Sequence, residues 1–484
     1  AAGFGHAYYL DGGFKHYVFN NIAWGLSNDP TSPLVNCAAF QEIYSHQNLF
    51  FNNTAYNFTV GSRRQAPHAG RNKYLGNVWQ GMSERVFRHA DPAKTEADGN
   101  AADAGRQKDQ FAYETNAYAG NVFHDIAELG VFETSGRWLR TLDDFRTALA
   151  RRQSLVSDLG VMDRVAPLRD PARGDFRLNP ASAAIDNGAV AFVPWALSGV
   201  VAEWNFYHAG NDSTQIIDEH WYAKDYLTDR TEYHARPTWP LTVVNVDAED
   251  YFPGPLENFT AGALRFVPAK KTYATIANDI LSKPFTASLA TRSQHGQDPQ
   301  RQDFTFAGDD LKTPAIHSSN FLIEVYFQAD GDGLLIGKKQ QAGYALRLED
   351  GRAVFSVVGS GGVSAQLTSQ VRLSDGKWHH LIAESDRMAR TLAVYVDGRL
   401  DGTAAGVGSV SLTNEGDLYV GGSPEGDYLS GAIEFLRIAH GTLADAHTSI
   451  EELYAWQFDG PARRDMRGVE PKGKARDAGA IETR

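Results

Sequence analysis

Four segments of the chain share one pattern of apolar and polar positions. They are HYVFNNIAWG (16–25), NLFFNNTAYN (48–57), NKYLGNVWQG (72–81) and NAYAGNVFHD (116–125). Each has an asparagine after an apolar or small pair, and these asparagines are Asn21, Asn53, Asn77 and Asn121. Their separations of 32, 24 and 44 residues are typical of a solenoid. Since β-branched and aromatic residues dominate without helical spacing, each repeat is predicted to be a strand.

A strand in every repeat, with an inward asparagine at the following bend, favours a parallel β-helix. In such a stack the asparagine amides hydrogen-bond to one another and to the backbone of the bends, which satisfies polar groups that would otherwise be buried alone. We therefore expect the four asparagines to occupy equivalent bends. The alternative is that the NN and GN pairs only mark β-turns.

The rest of the chain changes character twice. Residues 89–109 are too polar for a core and are predicted to be a loop. Residues 141–155 have helical periodicity, with Thr141 as N-cap and Asp143 and Asp144 in the first turn. The segment GDFRLNPASAAIDNGA (174–189) then closes this part of the chain.

That closing segment resembles the last coils of bacterial right-handed parallel β-helix proteins of the pectin-lyase-like superfamily. The resemblance implies that a motif of the form D.GA.E should follow soon afterwards. In this chain the matching motif, RDAGAIE, lies much later, at residues 476–482. An interrupted coil must complete its own backbone hydrogen bonds. We therefore expect residues 476–482 to pair beside residues 176–186.

The intervening residues read as a separate all-β domain. AFVPWALSGVVAEWNF (191–206), TAGALRFVPAKKTYATI (260–276) and several segments within 321–438 resemble laminin-G-like, concanavalin A-type jelly rolls. Two alternating strands ending in a hairpin turn at Asp397-Gly398 are the most specific feature. The prediction is an all-β chain: a right-handed parallel β-helix (1–190), an inserted laminin-G-like jelly-roll sandwich (191–460) with a long excursion (207–259), and a return segment (461–484) that closes the β-helix.

Composition narrows the function without defining it. The 484 residues carry a net charge of −13 and a single cysteine, Cys37. Distributed negative charge argues against nucleic acid or anionic membrane as a partner, and no apolar run approaches the ~20 residues of a membrane span. Abundant Gly, Tyr and Trp are typical of β-rich carbohydrate-binding proteins. We expect a secreted or cell-surface protein whose partner is a polysaccharide.

The amino-terminal residues already read as strand and turn. A solenoid needs an end cap, because an exposed terminal coil offers unpaired backbone groups. Residues 1–20, with Phe4, Tyr9 and Phe14, are therefore expected to be covered by another polypeptide. The cover would be a missing amino-terminal β-helix portion of the same precursor or a partner subunit.

Candidate catalytic residues lie in the first two predicted coils. Asp11 and Glu42 precede Asn21 and Asn53 by ten and eleven residues, so we expect them at similar heights in neighbouring coils. Two carboxylates about 5–5.5 Å apart suit a retaining glycosidase, and YYLDGG (8–13) resembles a strand-end motif of β-helix glycoside hydrolases. The alternative is that Asp11 begins a turn and Glu42 is a solvated strand residue.

Lyase chemistry would instead need a base and a cation near a uronate. Lys15 and His16 are the principal candidates, with His6, Tyr9 and His46 in the same coils. On the sandwich, Asp330 and Asp332 of the loop QADGDG (328–333) are candidate Ca²⁺ ligands, with a tight turn as the alternative.

Three functional classes remain open from the sequence. The first is a polysaccharide-active enzyme, a glycoside hydrolase or lyase, with a catalytic β-helix groove and a glycan-binding sandwich. The second is a non-catalytic glycan-binding or adhesion protein. The third is a structural subunit of an extracellular assembly. An enzyme should have Asp11, Glu42 and Lys15 in an open cleft.

Overall fold

The computed structural model divides the chain into two compact units. It describes residues 6–11, 16–25, 38–43, 48–65, 72–89, 116–132, 138–150, 159–195, 197, 199–206, 215–216, 239–256, 262–278, 285–290, 301–307, 314, 316–459 and 465–483. The first unit comprises residues 1–193 and 458–484, and the second comprises residues 194–457. The chain therefore leaves the first unit, forms the second and returns.

The described part of the first unit has fifteen strands and one α-helix. They are β1 (Tyr8–Asp11), β2 (Tyr17–Phe19), β3 (Ile22–Trp24), β4 (Ala38–Ile43), β5 (Leu49–Phe51), β6 (Thr54–Gln65), β7 (Lys73–Leu75), β8 (Val78–His89), β9 (Ala117–Ala119), β10 (Asn121–Ile126), β11 (Val131–Phe132), β12 (Trp138–Leu139), α1 (Leu142–Ala150), β13 (Gly160–Met162), β14 (Leu168–Asp170) and β15 (Asp175–Leu178). Helix α1 lies within the predicted 141–155, and Thr141 Oγ1 accepts the Asp144 N–H as an N-cap (3.1 Å).

Most of these strands form parallel sheets between successive repeats. One sheet has the order β1-β4-β6-β8-β10-β13, with β3 also paired to β6, and a second has the order β2-β5-β7-β9. The two long strands, β6 and β8, each pair with different strands along their two halves. The first part of β6 pairs with β3, and its second part pairs with β4. Strands from the same place in each repeat therefore stack in register.

The four repeat asparagines form a continuous ladder, and their predicted stacking is confirmed. Asn53 Oδ1 accepts the backbone N–H and the side-chain amide of Asn21, both at 3.1 Å. Asn77 Oδ1 accepts the same two donors from Asn53, and Asn121 Oδ1 accepts them from Asn77. Each amide also donates to a backbone carbonyl, as Asn77 Nδ2 does to Phe50 O (2.9 Å). The bends thus bury their polar groups without loss of hydrogen bonds.

The residue before each ladder asparagine explains the recurring NN and GN pairs. Asn20, Asn52, Gly76 and Gly120 all have positive φ, between 50° and 60°. Asparagine and glycine are the residues that adopt this left-handed conformation most readily. At position 76 a side chain would also meet the Ala189 backbone nitrogen at 2.5 Å. The first residue of the pair makes the bend, and the second forms the ladder.

A second ladder, which the sequence reasoning missed, runs five residues earlier in each repeat. Asn48 Oδ1 accepts the His16 N–H (3.0 Å), Asn72 Oδ1 accepts the Asn48 N–H (2.8 Å), and Asn116 Oδ1 accepts the Asn72 N–H (2.9 Å). The signal was present, since three of the four repeats begin with asparagine. Between the ladders, the rings of Phe50, Tyr74 and Tyr118 stack at 5.2 Å intervals in the core.

The segment after the second unit returns to the closing segment of the first. The Ala478 N–H donates to Ala184 O (2.7 Å), and Asp477 Oδ1 accepts the Asp186 N–H (2.8 Å). The Gly479 N–H donates to Gly76 O (2.8 Å), at one of the repeat bends. Residues 477–479 therefore contact the end of the closing segment, at residues 184–186, and the Gly76 bend.

The second unit contains an antiparallel sandwich of two sheets and a separate two-stranded sheet. Its described strands are β16 (Val200–Asn205), β17 (Gln215–Ile216), β18 (Leu241–Val244), β19 (Tyr251–Phe252), β20 (Ala263–Phe266), β21 (Tyr273–Ile276), β22 (Phe285–Ala290), β23 (Arg301–Phe306), β24 (Phe321–Ala329), β25 (Gly333–Lys339), β26 (Gly343–Glu349), β27 (Arg352–Val358), β28 (Ser364–Arg372), β29 (Trp378–Asp386), β30 (Thr391–Val396), β31 (Arg399–Ala405), β32 (Leu418–Val420) and β33 (Gly431–His440), followed by helix α2 (Ile450–Tyr454).

The two sheets enclose the largest core of the chain. Sheet one has the order β19-β20-β33-β24-β29-β30-β31 with β16 on β33, and sheet two has the order β17-β18-β21-β32-β25-β26-β27-β28. Alternate residues of β24, such as Ile323, Val325 and Phe327, face this core. The predicted hairpin at Asp397-Gly398 is confirmed, since Val396 pairs with Arg399 across it. Strands β17 and β18 show that part of the expected 207–259 excursion belongs to sheet two.

We expect loss of one ladder amide to destabilise the first unit strongly. Asn53→Ala removes the acceptor for Asn21 and the donors to Val18 O and Asn77 Oδ1. Leaving these buried groups unpaired should lower the free energy of unfolding by about 2–4 kcal/mol. Urea denaturation of the full chain measures the change. Ser83→Ala, at an exposed position of β8, is the control, and equal stability of the two variants would contradict the ladder's role.

The return segment should make the stability of the first unit depend on pH. Burial raises the pKa of Glu482 from 4.5 to about 7, although the buried Arg476, 3.1 Å away, lowers it. The pKa of Glu482 is higher in the folded than in the unfolded state. Protonated Glu482 therefore contributes fully to the free energy of unfolding below pH 4.5, and this contribution is lost as the pH rises towards 7. Glu482→Gln should flatten this decline, which amounts to at most about 3 kcal/mol. Unfolding of both proteins at pH 4.5 and 7.5 tests it, and identical pH profiles would refute it.

Candidate functional site

Glu42, a predicted catalytic carboxylate, lies inside the first unit. Its side chain is 0% exposed. One carboxylate oxygen accepts the Asn48 amide (2.9 Å), and the other accepts the Tyr74 hydroxyl in a short hydrogen bond. These partners link Glu42 to the second ladder and to the stacked aromatic rings. The carboxylate stabilises the core and does not line an open cleft.

The register also separates Glu42 from its expected partner. Leu10 pairs with Glu42 and Asp11 pairs with Ile43. Because successive positions of a strand belong to opposite faces of a sheet, positions 11 and 42 do not share a face. The expected similar height is present, but the offset of one residue keeps the two positions from forming a carboxylate pair.

The remaining candidate residues of the first repeats fall into two groups. Lys15 and His46 lie outside the described residues. His16 occupies the first position of the second ladder, where its ring Nδ1 lies 3.0 Å from Asn48 Oδ1. His6 Nδ1 accepts the Ala38 N–H (3.1 Å), and its ring lies 5.9 Å from that of Tyr9, which is 52% exposed. A catalytic role for any of these residues stays a prediction.

One buried triad has the spacing of a nucleophile and base. Ser62 Oγ lies 2.9 Å from His89 Nε2, and His89 Nδ1 lies 2.6 Å from the Tyr118 hydroxyl. All three side chains are buried in the core that contains Tyr74. A nucleophile must meet its substrate, so this cluster serves to satisfy buried polar groups.

The candidate Ca²⁺ loop is organised as a turn. Both carboxylate oxygens of Asp332 accept backbone N–H groups, from Asp350 (2.8 Å) and Gly351 (2.7 Å), which ties the loop to the β26–β27 hairpin. The Asp330 N–H donates to Ser430 O (2.9 Å). Across the described ranges, no three His, Cys, Asp or Glu side chains converge as metal ligands would.

An aromatic patch on the outer face of sheet one is the best candidate for ligand binding. It consists of Tyr326, Trp378, Phe252 and Arg265. Alternation along β24 turns Tyr326 away from the core. The rings of Tyr326 and Trp378 stack at 5.3 Å, and Phe252 lies 6.4 Å from Trp378. The exposed Arg265 guanidinium lies 4.7 Å from the centre of the Phe252 ring. Half-buried rings beside a cation offer both apolar faces and hydrogen-bond donors to a ligand.

A buried polar cluster lies beside the patch, on the same face of sheet one. Glu324, two residues before Tyr326, accepts from Arg437 Nε (2.5 Å) and Gln457 Nε2 (2.7 Å), and lies 2.7 Å from His380 Nε2. Burial alone would raise the pKa of Glu324, but Arg437 and His380 outweigh it and lower the pKa to about 2. The carboxylate is therefore ionised and paired at neutral pH, which fixes β24, β29 and β33 relative to one another.

The residue next to Trp378 is held by two carboxylates. His379 Nδ1 lies 2.8 Å from Asp397 Oδ2, and its Nε2 lies 3.0 Å from Asp375 Oδ1. The hydrogen bond with Asp397 raises the pKa of His379, burial lowers it, and Asp375 raises it again, so that the net shift is upward. These contacts anchor the start of β29 and hence the position of Trp378.

Comparison with known protein families identifies one domain in the second unit. Residues 271–447 match the family model of laminin-G type described as the concanavalin A-like lectin/glucanases superfamily. The second unit thus contains a laminin-G-like, concanavalin A-like domain, the class of domain that the antiparallel sandwich and the sequence resemblance indicate.

Three solved structures are similar to parts of the chain. The binding domain of Paraclostridial Mosquitocidal Protein 1 is 11% identical over 53% of this chain and 52% of that chain, with a TM-score of 0.34. Domains LG4-5 of the mouse laminin alpha1 chain are 23% identical over 25% and 35%, with a TM-score of 0.22. The receptor binding domain of botulinum neurotoxin mosaic serotype C/D is 10% identical over 55% and 52%, with a TM-score of 0.33. The chain spans about half the length of the two toxin domains.

Among the described residues, no helix has both the length and the apolar character needed to cross a membrane.

The environment of Glu42 leads to a test that separates a structural from a catalytic role. Glu42→Ala leaves the Asn48 amide and the Tyr74 hydroxyl without this acceptor, which should cost about 2–5 kcal/mol of unfolding free energy. Glu84→Ala is the control, because Glu84 pairs with Arg85 near the surface (3.1 Å) and should cost less than about 1 kcal/mol. Calorimetry of the full chain measures both. An unchanged melting temperature in Glu42→Ala would contradict the structural role.

Proposed function

We propose that this chain is a secreted glycan-binding protein. Its concanavalin A-like domain would bind carbohydrate at the aromatic patch, and its first unit would be a right-handed parallel β-helix of pectin-lyase-like type that acts as a scaffold. The stacked pair of Tyr326 and Trp378 is the observation that carries the proposal. Aromatic faces contact the apolar C–H faces of sugar rings, while nearby polar groups contact the hydroxyls.

The scaffold role is supported by the interior of the first unit. Both ladders and the aromatic stack hold successive repeats in register, and the buried Glu42 and the half-buried His16 take part in this support. The even stacking of β3, β6, β8 and β10 favours a β-helix. Covering of residues 1–20 by another polypeptide stays a prediction. In the described part of the chain, β1 and β2 each end the order of their sheet.

A polysaccharide-cleaving enzyme is the second candidate, and one observation favours it. Trp24, Tyr56, Gln80 and His124 lie in register on successive strands of the first unit. Trp24 is 63% exposed, and its ring lies 5.4 Å from that of Phe176. Gln80 in this column is buried and accepts the Leu168 N–H (3.0 Å), so the exposed ring of Trp24 is the part that would contact a glycan. Release of reducing ends or unsaturated uronates from a panel of polysaccharides would favour this candidate over a binding protein.

Trp378→Ala should weaken glycan binding at least about tenfold, because hot-spot aromatics carry much of a binding free energy. The full chain is first screened on a glycan panel, and affinity for the retained glycan is then measured by calorimetry. Trp456→Ala is the matched control, since Trp456 is a 37% exposed tryptophan of the same unit outside the patch. Retention of no glycan by the intact chain, or equal affinities of the two variants, would contradict the proposal.

A further inference from the structure

A buried lysine lies against an asparagine at one end of sheet two. Lys338, on β25, is 3% exposed, and Asn278, just after β21, is 6% exposed. Lys338 Nζ donates to Asn278 Oδ1 (2.6 Å) and to Gly416 O (2.5 Å). Lysine is rarely buried so completely. Because lysines usually lie at the surface, the burial of Lys338 needs a chemical explanation.

The carboxyl group of Glu415 contacts the nitrogen side of the Asn278 carboxamide. Asn278 Nδ2 donates to Glu415 Oε2 (3.0 Å), in the loop before β32. The backbone fixes this arrangement, because Asp417 Oδ1 accepts the Asn278 N–H (2.9 Å) and Asn414 Nδ2 donates to Lys338 O (3.3 Å). An amine, a carboxamide and a carboxyl are thus held together by three separate segments of the sandwich.

We propose that Lys338 and Asn278 form an intramolecular isopeptide bond, with Glu415 transferring the proton. Asn278 Cγ is bonded to Oδ1, so the amine nitrogen lies within about 4 Å of the carbon that it attacks. Fixing two reactants at this distance replaces a bimolecular encounter with an intramolecular step. Burial favours the neutral amine over the ammonium form, and only the neutral amine is a nucleophile.

The reaction balances without any external reagent. Lys338 Nζ attacks Asn278 Cγ, the Nζ–Cγ bond forms, and the Cγ–Nδ2 bond breaks. The Glu415 carboxylate accepts a proton from Nζ and delivers it to Nδ2, which it already contacts, and Nδ2 leaves as ammonia. Nothing is oxidised or reduced. The product joins two segments roughly 60 residues apart in the chain, which would restrict the unfolded state of the sandwich.

Mass spectrometry of the intact full chain tests the proposal. The protein should be lighter than its sequence by one ammonia, about 17 Da, and a protease digest should contain one linked peptide pair joining positions 278 and 338. Succinimide formation at an asparagine also releases ammonia, so tandem fragmentation of the linked pair is required. Loss of ammonia without the linked pair, or a mass equal to that of the sequence, would overturn the proposal.

Variants identify the groups involved. Lys338→Met and Asn278→Ala should both restore the full mass, whereas Lys339→Met, at the exposed neighbouring position, should retain the link. If the two buried variants fail to fold, Glu415→Gln provides the second test, because Glu415 is exposed and its replacement should leave the sandwich folded. This variant should reduce the linked fraction at least about tenfold. An unchanged linked fraction in Glu415→Gln would refute the role of the carboxyl.

Discussion

Satisfaction of buried amides at the bends is the constraint on which the first unit depends. Each repeat must turn sharply while its backbone stays buried, and unpaired peptide groups there would cost more than the packing of neighbouring rings supplies. The ladder from Asn21 to Asn121 meets this demand. Its last three amides each accept from the preceding repeat and donate to the backbone of that repeat, and the Asn21 amide donates to Phe19 O in its own repeat. The left-handed residue before each ladder position sets the direction of the amide. The spacing of repeats can therefore vary between 24 and 44 residues, since loops between them do not alter the bend.

This constraint determines which polar residues remain for function. Glu42, Asn48 and Tyr74 form one connected group, and Ser62, His89 and Tyr118 form another. Residue types that often act in catalysis serve here to satisfy one another in a buried interior, where a partly satisfied network is costly. The sandwich differs, because its buried ionic cluster lies beside half-buried aromatic rings on the same face of sheet one. The buried groups fix the strands, and the neighbouring half-buried rings remain partly accessible to a ligand.

More of the fold than of the candidate site could be predicted from the sequence. The strand repeats, the asparagine stacking, the Asp397-Gly398 hairpin and the return of residues 476–482 all follow from local patterns or from the need to complete backbone pairing. The position of Glu42 does not follow from such patterns. Counting residues back from Asn21 and Asn53 ignores the intervening loops, and an error of one residue moves a strand position to the opposite face. The patch of Tyr326, Trp378 and Phe252 joins residues that are distant in sequence, so no local pattern predicts it.

Because the second unit lies in sequence between the two parts of the first, completion of the first unit during folding depends on the second. Residues 476–479 pair with residues 184–188 and with the Gly76 bend, yet they follow the entire second unit in sequence. The buried Arg476 guanidinium donates to Asn20 Oδ1 (2.7 Å), at the first of the left-handed bends. Contacts between residues so far apart form late, because the entropy of closing the loop must be offset first. The sandwich core lies within residues 202–438, so it can form before the return segment closes the first unit. A folded second unit shortens the effective loop between Val193 and Phe458, and this is the physical reason why the return segment can still complete the first unit.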